Sequence, residues 1–344
     1  MNTVENQPKS KYFEKRPKTL AAVYVVTFLV TMTSGILIGF FALPKKEVKI
    51  FSESLHADVH LHVPRKIWAF WNEETVEPVN YTAQPHLGYV EGWRRLNPDH
   101  KVTLITPLTM ANYISSPKPK NFEKLGPAHQ CDWIRASVLN EHGGIWIDCS
   151  TILTANLSFI HNMQRSQNAE GFMFYLKWYT LDMNYPVFEN GFIATIAGGQ
   201  LIKALLKEFT YAIEEHALGQ SYHDELRKKY GDDMYDRLAQ RIPNDMRTYL
   251  TMHIALQKIM QIDGVSPVAG AASEYWPFGP YQHMVSLKWD ADKVVESLIK
   301  PWSANQYLPP LFKINGNIRS KLNEALTESN FHQDSVFNRY VLQK

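Results

Sequence analysis

The chain has 344 residues, 45% of them hydrophobic, enough to bury one sizeable core with appendages. Its formal net charge of +2, with no basic block interleaved with aromatics, excludes nucleic acid as the main partner. Its two cysteines, Cys131 and Cys149, are too few for a disulfide framework, so two buried thiols are expected.

From Leu20 to Leu43 no side chain is charged. As a helix this stretch would be ~36 Å long, enough to cross ~30 Å of hydrocarbon. Lys9, Lys11, Lys15, Arg16 and Lys18 precede it, against Lys45, Lys46 and Lys49 after it, which favours a cytosolic N-terminus. A cleaved signal peptide would have a shorter apolar core and a small-residue cleavage site, and none follows Phe41. The expected order is a cytosolic tail at 1–19, a transmembrane anchor at 20–43 and a stem at 44–62. A folded domain at 63–300 and a C-terminal tail at 301–344 complete it.

The domain opens with Val63 to Trp71, an apolar first strand after a proline. Gly88 to Leu96 reads as a helix, Asn97-Pro98-Asp99 as a turn, and Lys101 to Ile105 as a second strand. Strand, helix and strand in succession predict a parallel sheet with crossover helices.

The stretch Ala128 to Leu153 is the densest in chemistry. Apolar Cys131, Ile134, Val138 and Leu139 recur at helical spacing, so Asp132 and Arg135 project side by side from one helix. Gly143-Gly144 stops it, Ile145 to Ile147 is a buried strand, and Asp148 stands at that strand's end. In open α/β sheets ligands bind outside the carboxyl ends of strands.

Further along, Gly171 to Lys177 is another apolar run, Glu189 to Ala194 follows it, and Leu201 to His216 reads as an amphipathic helix. The charged run His223 to Arg241 is expected as a solvated helical insertion. Thr248 to Met260 reads as a helix carrying His253, and Trp276 to Trp289 as a loop. No internal repeat, Walker loop, GxGxxG or HExxH occurs.

The central stretch resembles the pattern "ADxxRxxxLxxxGGIYLDxD" of the capsular polysaccharide synthesis proteins and related glycosyltransferases with a DxD sugar-binding region. Asp132, Arg135, Leu139, Gly143 to Ile147 and Asp148 carry the match, and Ser150 stands where the second acid of DxD would be. Pro64, Lys66, Ile67 and Trp71, then Trp93, Asn97, Pro98 and Leu104, then Glu189 to Ala194 resemble the family's flanking motifs.

The resemblance implies a Rossmann-like nucleotide-sugar glycosyltransferase A-type fold, here with one N-terminal transmembrane helix. It implies a nucleotide-sugar donor, a glycan or polysaccharide acceptor and retention of configuration. Asp132 would hydrogen-bond sugar hydroxyls, Arg135 would orient the sugar or its phosphate, and Asn190 would contact the transferred sugar. Trp71 would stack on the base, and Lys288 would neutralise the departing diphosphate. Mn²⁺ or Mg²⁺ would sit on Asp148, Ser150 and His283, because hard cations take oxygen ligands and bridge diphosphate oxygens. In a eukaryotic host this topology is single-pass type II, facing the Golgi or endoplasmic reticulum lumen. Two alternatives stand beside this reading. One is a catalytically silent carbohydrate-binding scaffold on the same fold, which Ser150 favours. The other is a hydrolase using Asp132 and Asp148 as a pair, which leaves Arg135 without a role.

Overall fold

A computed structural model describes residues 61–74, 84–303 and 305–343. The expected cytosolic tail, the anchor at 20–43 and nearly all of the stem lie outside the described residues. No described helix is long and apolar enough to cross a membrane.

Among the described residues eight strands form in chain order: β1 Lys66–Phe70, β2 Lys101–Ile105, β3 Gly144–Ile147, β4 Thr151–Leu153, β5 Gly171–Tyr175, β6 Phe188–Thr195, β7 Ala269–Ala272 and β8 Leu311–Lys313. Six of them make one sheet in the order β2-β1-β3-β6-β5-β7, and β4 pairs with β8 in a second. The expected parallel sheet is present only in part. β1 runs parallel to β2 and β3, and β5 to β7, but β6 is antiparallel to both its neighbours. The physical reason is the connection: β5 and β6 are joined by one excursion that returns beside β5, so β6 reverses direction. The fold is thus mixed α/β with a parallel-rich sheet.

Strand periodicity divides the core. On β1, Trp68 and Phe70 face one apolar cluster, Ile67 and Ala69 the other. The first face is covered by the helices Pro127–His142, Gln200–His216 and Thr251–Gln261, and the second by Pro85–Leu96, Ala291–Ile299 and Gly316–Thr327. Helices on both faces explain why β3 and β5 are apolar along their whole length.

Three expectations are corrected here. The charged run is no solvated insertion. It forms the helices Gln220–Tyr230 and Asp232–Ala239, which bury Tyr222, His223, Leu226, Tyr235 and Leu238. The charges lie on the outer faces, and His223 bridges Thr251 and Tyr235 beneath them. Trp276 to Trp289 is not all loop, since Gln282–Ser286 is a short helix. The boundary at residue 300 also fails. Beyond it β8 pairs with β4, the helix Gly316–Thr327 buries Ile318, Leu322 and Leu326, and Phe337 packs edge-on against Tyr89. The C-terminal segment completes the second face of the core.

Phe312 on β8 is fully enclosed, between His283 and Trp302. We therefore predict that Phe312→Ala costs about 3–5 kcal/mol of unfolding free energy in a urea titration. A change near zero would return residues beyond 300 to the status of a detachable tail.

Candidate functional site

The helix Pro127–His142 starts with Gly126 as cap and Pro127 in its first turn, where the missing amide hydrogen costs nothing. It ends at Gly143, whose φ is +59°, and Gly144 follows at +106°. A Cβ on either would strike backbone, at Ala197 and Lys66 respectively, so only a glycine pair can drive this helix straight into β3. That tight passage sets the distance between Arg135 on the helix and Asp148 after the strand.

Arg135 is buried and ties two carboxylates together. Its Nη1 donates to Asp132 Oδ1 at 2.6 Å and its Nη2 to Asp148 Oδ1 at 2.8 Å. The guanidinium also lies over the Trp146 ring, 5.1 Å from its centroid, and the Trp146 indole donates to Asp148 Oδ1 at 2.8 Å. Asn190, on β6, donates to Asp132 Oδ1 at 3.0 Å. The other oxygen of Asp148, Oδ2, accepts from Lys313 Nζ. Lys313 is the last residue of β8, and its pairing with Thr151 brings it next to the segment that follows Asp148.

These contacts separate the two acids. Burial alone would raise the Asp148 carboxyl, but Lys313 and Arg135 together outweigh it and hold the group at about 2, against an ordinary 3.8. For Asp132 burial wins over Arg135 and His129, and its carboxyl is raised. Burial likewise raises Glu189, which accepts a hydrogen bond from the Tyr281 hydroxyl at 3.4 Å.

The site opens into a cavity of about 520 Å³ at the carboxyl ends of β1 and β3. Trp71, Asp132, Arg135, Asp148, Ser150 and Asn190 all line it. Trp71 is stacked on His86 with ring centroids 4.2 Å apart. His253, buried from the helix Thr251–Gln261, also lines the cavity, and its Nδ1 has no hydrogen-bond partner. The two cysteines are free, and burial pushes the Cys131 thiol up to about 12, which makes it inert at neutral pH.

Two expected residues are not brought to the cavity. His283 is buried in the second core face, bonded through Nε2 to Ser297 Oγ at 2.8 Å and set against Trp302 and Phe312. Its ring is enclosed, its Nε2 is committed to Ser297, and it does not line the cavity, so it is no part of a metal shell facing Asp148. Lys288 is exposed on the turn after Gln282–Ser286 and does not line the cavity. Besides Arg135 and His253, the cavity is lined by two further basic residues, Lys313 and Arg319, with Ile314, Asn315 and Gly316 between them. They were missed because β8 is three residues long and Lys313 lies 165 positions from Asp148. The one local signal is Asn315-Gly316 opening a helix, where Asn315 accepts from the Ile318 amide.

The expected divalent cation fits these residues poorly. Both Asp148 oxygens already accept from nitrogen donors, Ser150 offers no charge, and no cluster of three His, Cys, Asp or Glu suits a metal among the described residues. Each unit-charge pair at ~4 Å is worth roughly 4 kcal/mol at an effective dielectric near 20. A cation on Asp148 would have to displace Lys313 from Oδ2 or share Oδ1 with Arg135 and Trp146.

The burial of several groups makes stability depend on pH. Burial lowers His253 to about 3 and His223 and His283 to about 4, so they stay neutral in the fold while the unfolded chain gains protons from about 6.5 downward. Asp148 adds a second loss, because its stabilisation is full above an ordinary carboxyl pKa and disappears as pH falls towards 2. Asp132 and Glu189, being raised, act in the opposite sense. We predict that unfolding free energy, from urea titrations at a series of pH values, starts to fall just below pH 6.5. A plateau down to pH 4 would mean that these histidines are accessible to protons in the fold.

Residues 45–229 match the family model described as capsular polysaccharide synthesis protein, more than half of the chain. Among solved structures, the chain is similar to the PaToxG glycosyltransferase at 13% identity and a TM-score of 0.31, covering 81% of this chain and 86% of that one. It is also similar to a transferase carrying two cysteine-to-serine substitutions, at 10% identity and a TM-score of 0.26, covering 54% and 93%. No curated protein matches. On the family match, the chain belongs to the capsular polysaccharide synthesis proteins.

Proposed function

We propose that this protein is a glycosyltransferase that moves a sugar from a nucleotide-sugar donor to a glycan or polysaccharide acceptor. The reading takes the fold as Rossmann-like and A-type, with residues 20–43 as a single-pass type II membrane anchor. One observation carries it: Asp132, Arg135, Asp148 and Asn190 converge on one cavity at the strand ends, in a member of a polysaccharide-synthesis family.

The residues have distinct tasks in this reading. Asp132 spends Oδ1 on Arg135 and Asn190 and keeps Oδ2 to accept from a sugar hydroxyl. Arg135, held between two carboxylates, is a rigid fork that presents charge without rotating. Trp71, already stacked on His86, offers an aromatic surface for a base. Such groups are aligned before the donor arrives, which is where positioning contributes most to rate. Retention of the donor's configuration, by front-face displacement without a covalent nucleophile, is carried as part of the proposal from the resemblance alone.

The test uses detergent-solubilised full-length protein with a panel of sugar nucleotides and an added saccharide. We expect nucleotide release coupled to saccharide extension, with the product's anomeric configuration matching the donor's by NMR. Arg135→Lys, which keeps the charge but not the fork, should lower turnover by roughly a hundredfold. Release of nucleotide with free sugar alone would make the protein a hydrolase. Absence of release with every donor would make it a silent binding scaffold.

A further inference from the structure

The wall of the cavity built by the C-terminal segment holds two cations on one short run. Lys313 ends β8 and Arg319 lies one turn into the helix Gly316–Thr327, and both line the cavity. The backbone fixes Lys313 from both sides. Its amide donates to the Pro280 carbonyl at 2.9 Å, and the next amide, of Ile314, donates to the Ser150 carbonyl at 2.7 Å. The lysine is therefore tied to Ser150, the residue that stands where a second motif acid would be.

The side chain is placed as firmly. Its ammonium pairs with Asp148 Oδ2 and is largely withdrawn from solvent. Gly191, on β6, leaves the space for this. A Cβ there would lie 2.7 Å from Glu189 Oε1, 2.8 Å from Asp148 Oδ2 and 3.0 Å from Lys313 Nζ. Three charged groups meet over bare backbone, and an ammonium already fills the position beside Asp148 Oδ2. An ammonium keeps further N–H donors after giving one to Asp148. Arg319 is exposed and adds a second positive group on the same wall.

We propose that Lys313, assisted by Arg319, neutralises the diphosphate of the donor, in place of a divalent cation held by Asp148. This rests on the transferase reading and names the groups that stabilise its leaving group. In the transfer, the bond between the glycosyl carbon and the diphosphate oxygen breaks and its electron pair stays on the diphosphate. The acceptor oxygen forms the new bond to that carbon and loses its proton to the departing diphosphate. Lys313 and Arg319 donate hydrogen bonds to the oxygens that gain charge, and Asp148 holds Lys313 in position. Asp148 is then a positioning residue.

The experiment measures binding of inorganic pyrophosphate, and of uridine, guanosine and cytidine diphosphates, to the full chain in detergent by calorimetry. Each titration is run in EDTA and in Mn²⁺. We expect pyrophosphate to bind the unmodified protein within about twofold under the two conditions. Lys313→Ala should weaken binding in EDTA by about tenfold, the loss of one charge-assisted bond. It should also create a Mn²⁺ dependence, because Asp148 loses the ammonium and becomes free for a cation. Arg319→Ala, on an exposed side chain, should weaken binding without creating that dependence. Lys313→Arg should retain most of the affinity. Binding that needs Mn²⁺ in the unmodified protein, or that survives Lys313→Ala unchanged in EDTA, overturns the proposal. Failure of pyrophosphate to bind at all does so too, and the nucleotide-release assay then judges the transferase reading separately.

Discussion

The carboxylate of Asp148 is the point on which the site depends. It receives Arg135 from a helix, Trp146 from its own strand and Lys313 from the C-terminal segment. A buried charge survives only when it is paired and hydrogen-bonded, and here three donors share the task. Much of the surrounding chain serves that arrangement. Gly143 and Gly144 turn the helix into β3 at the right distance, Gly191 keeps β6 clear, and β4 with β8 brings the lysine across.

The same arrangement links stability to chemistry. Removing Arg135 would leave Asp132 and Asp148 facing each other in a buried pocket, so a change at the site is also a change in the core. Charges fixed in this way need little reorganisation when a ligand's charge develops, the condition under which electrostatic stabilisation is most effective. The proposed diphosphate site lies on the side of the cavity that Lys313 and Arg319 line, and the run between them holds no carboxylate of its own.

The central stretch was legible because its signals are local. Helical spacing put Asp132 and Arg135 on one face, the glycine pair ended the helix, and the short buried apolar run Ile145 to Ile147 placed Asp148 at its end. Asn190 was visible only through the resemblance of Glu189 to Ala194 to a family motif. What stayed hidden depends on contacts between distant segments. β8 is three residues long and its pattern is indistinguishable from any short apolar run, so neither its pairing with β4 nor the placement of Lys313 could be read. His283 misled for a related reason. Its role was carried over from the resemblance, which says nothing of its surroundings, and Trp302 and Phe312 enclose it. The charged run from His223 misled through composition, because its buried positions, Tyr222, His223, Leu226, Tyr235 and Leu238, are spread among many surface charges.

The most direct measurement is a crystal structure of the protein with a nucleoside diphosphate bound, grown in the presence of Mn²⁺. The account predicts the diphosphate against Lys313 and Arg319, the base on the Trp71 side of the cavity, and the Lys313–Asp148 pair intact. A diphosphate reaching Asp148 through Mn²⁺, with Lys313 displaced, would contradict the role given to the lysine. A nucleotide bound anywhere other than this cavity would contradict the site itself.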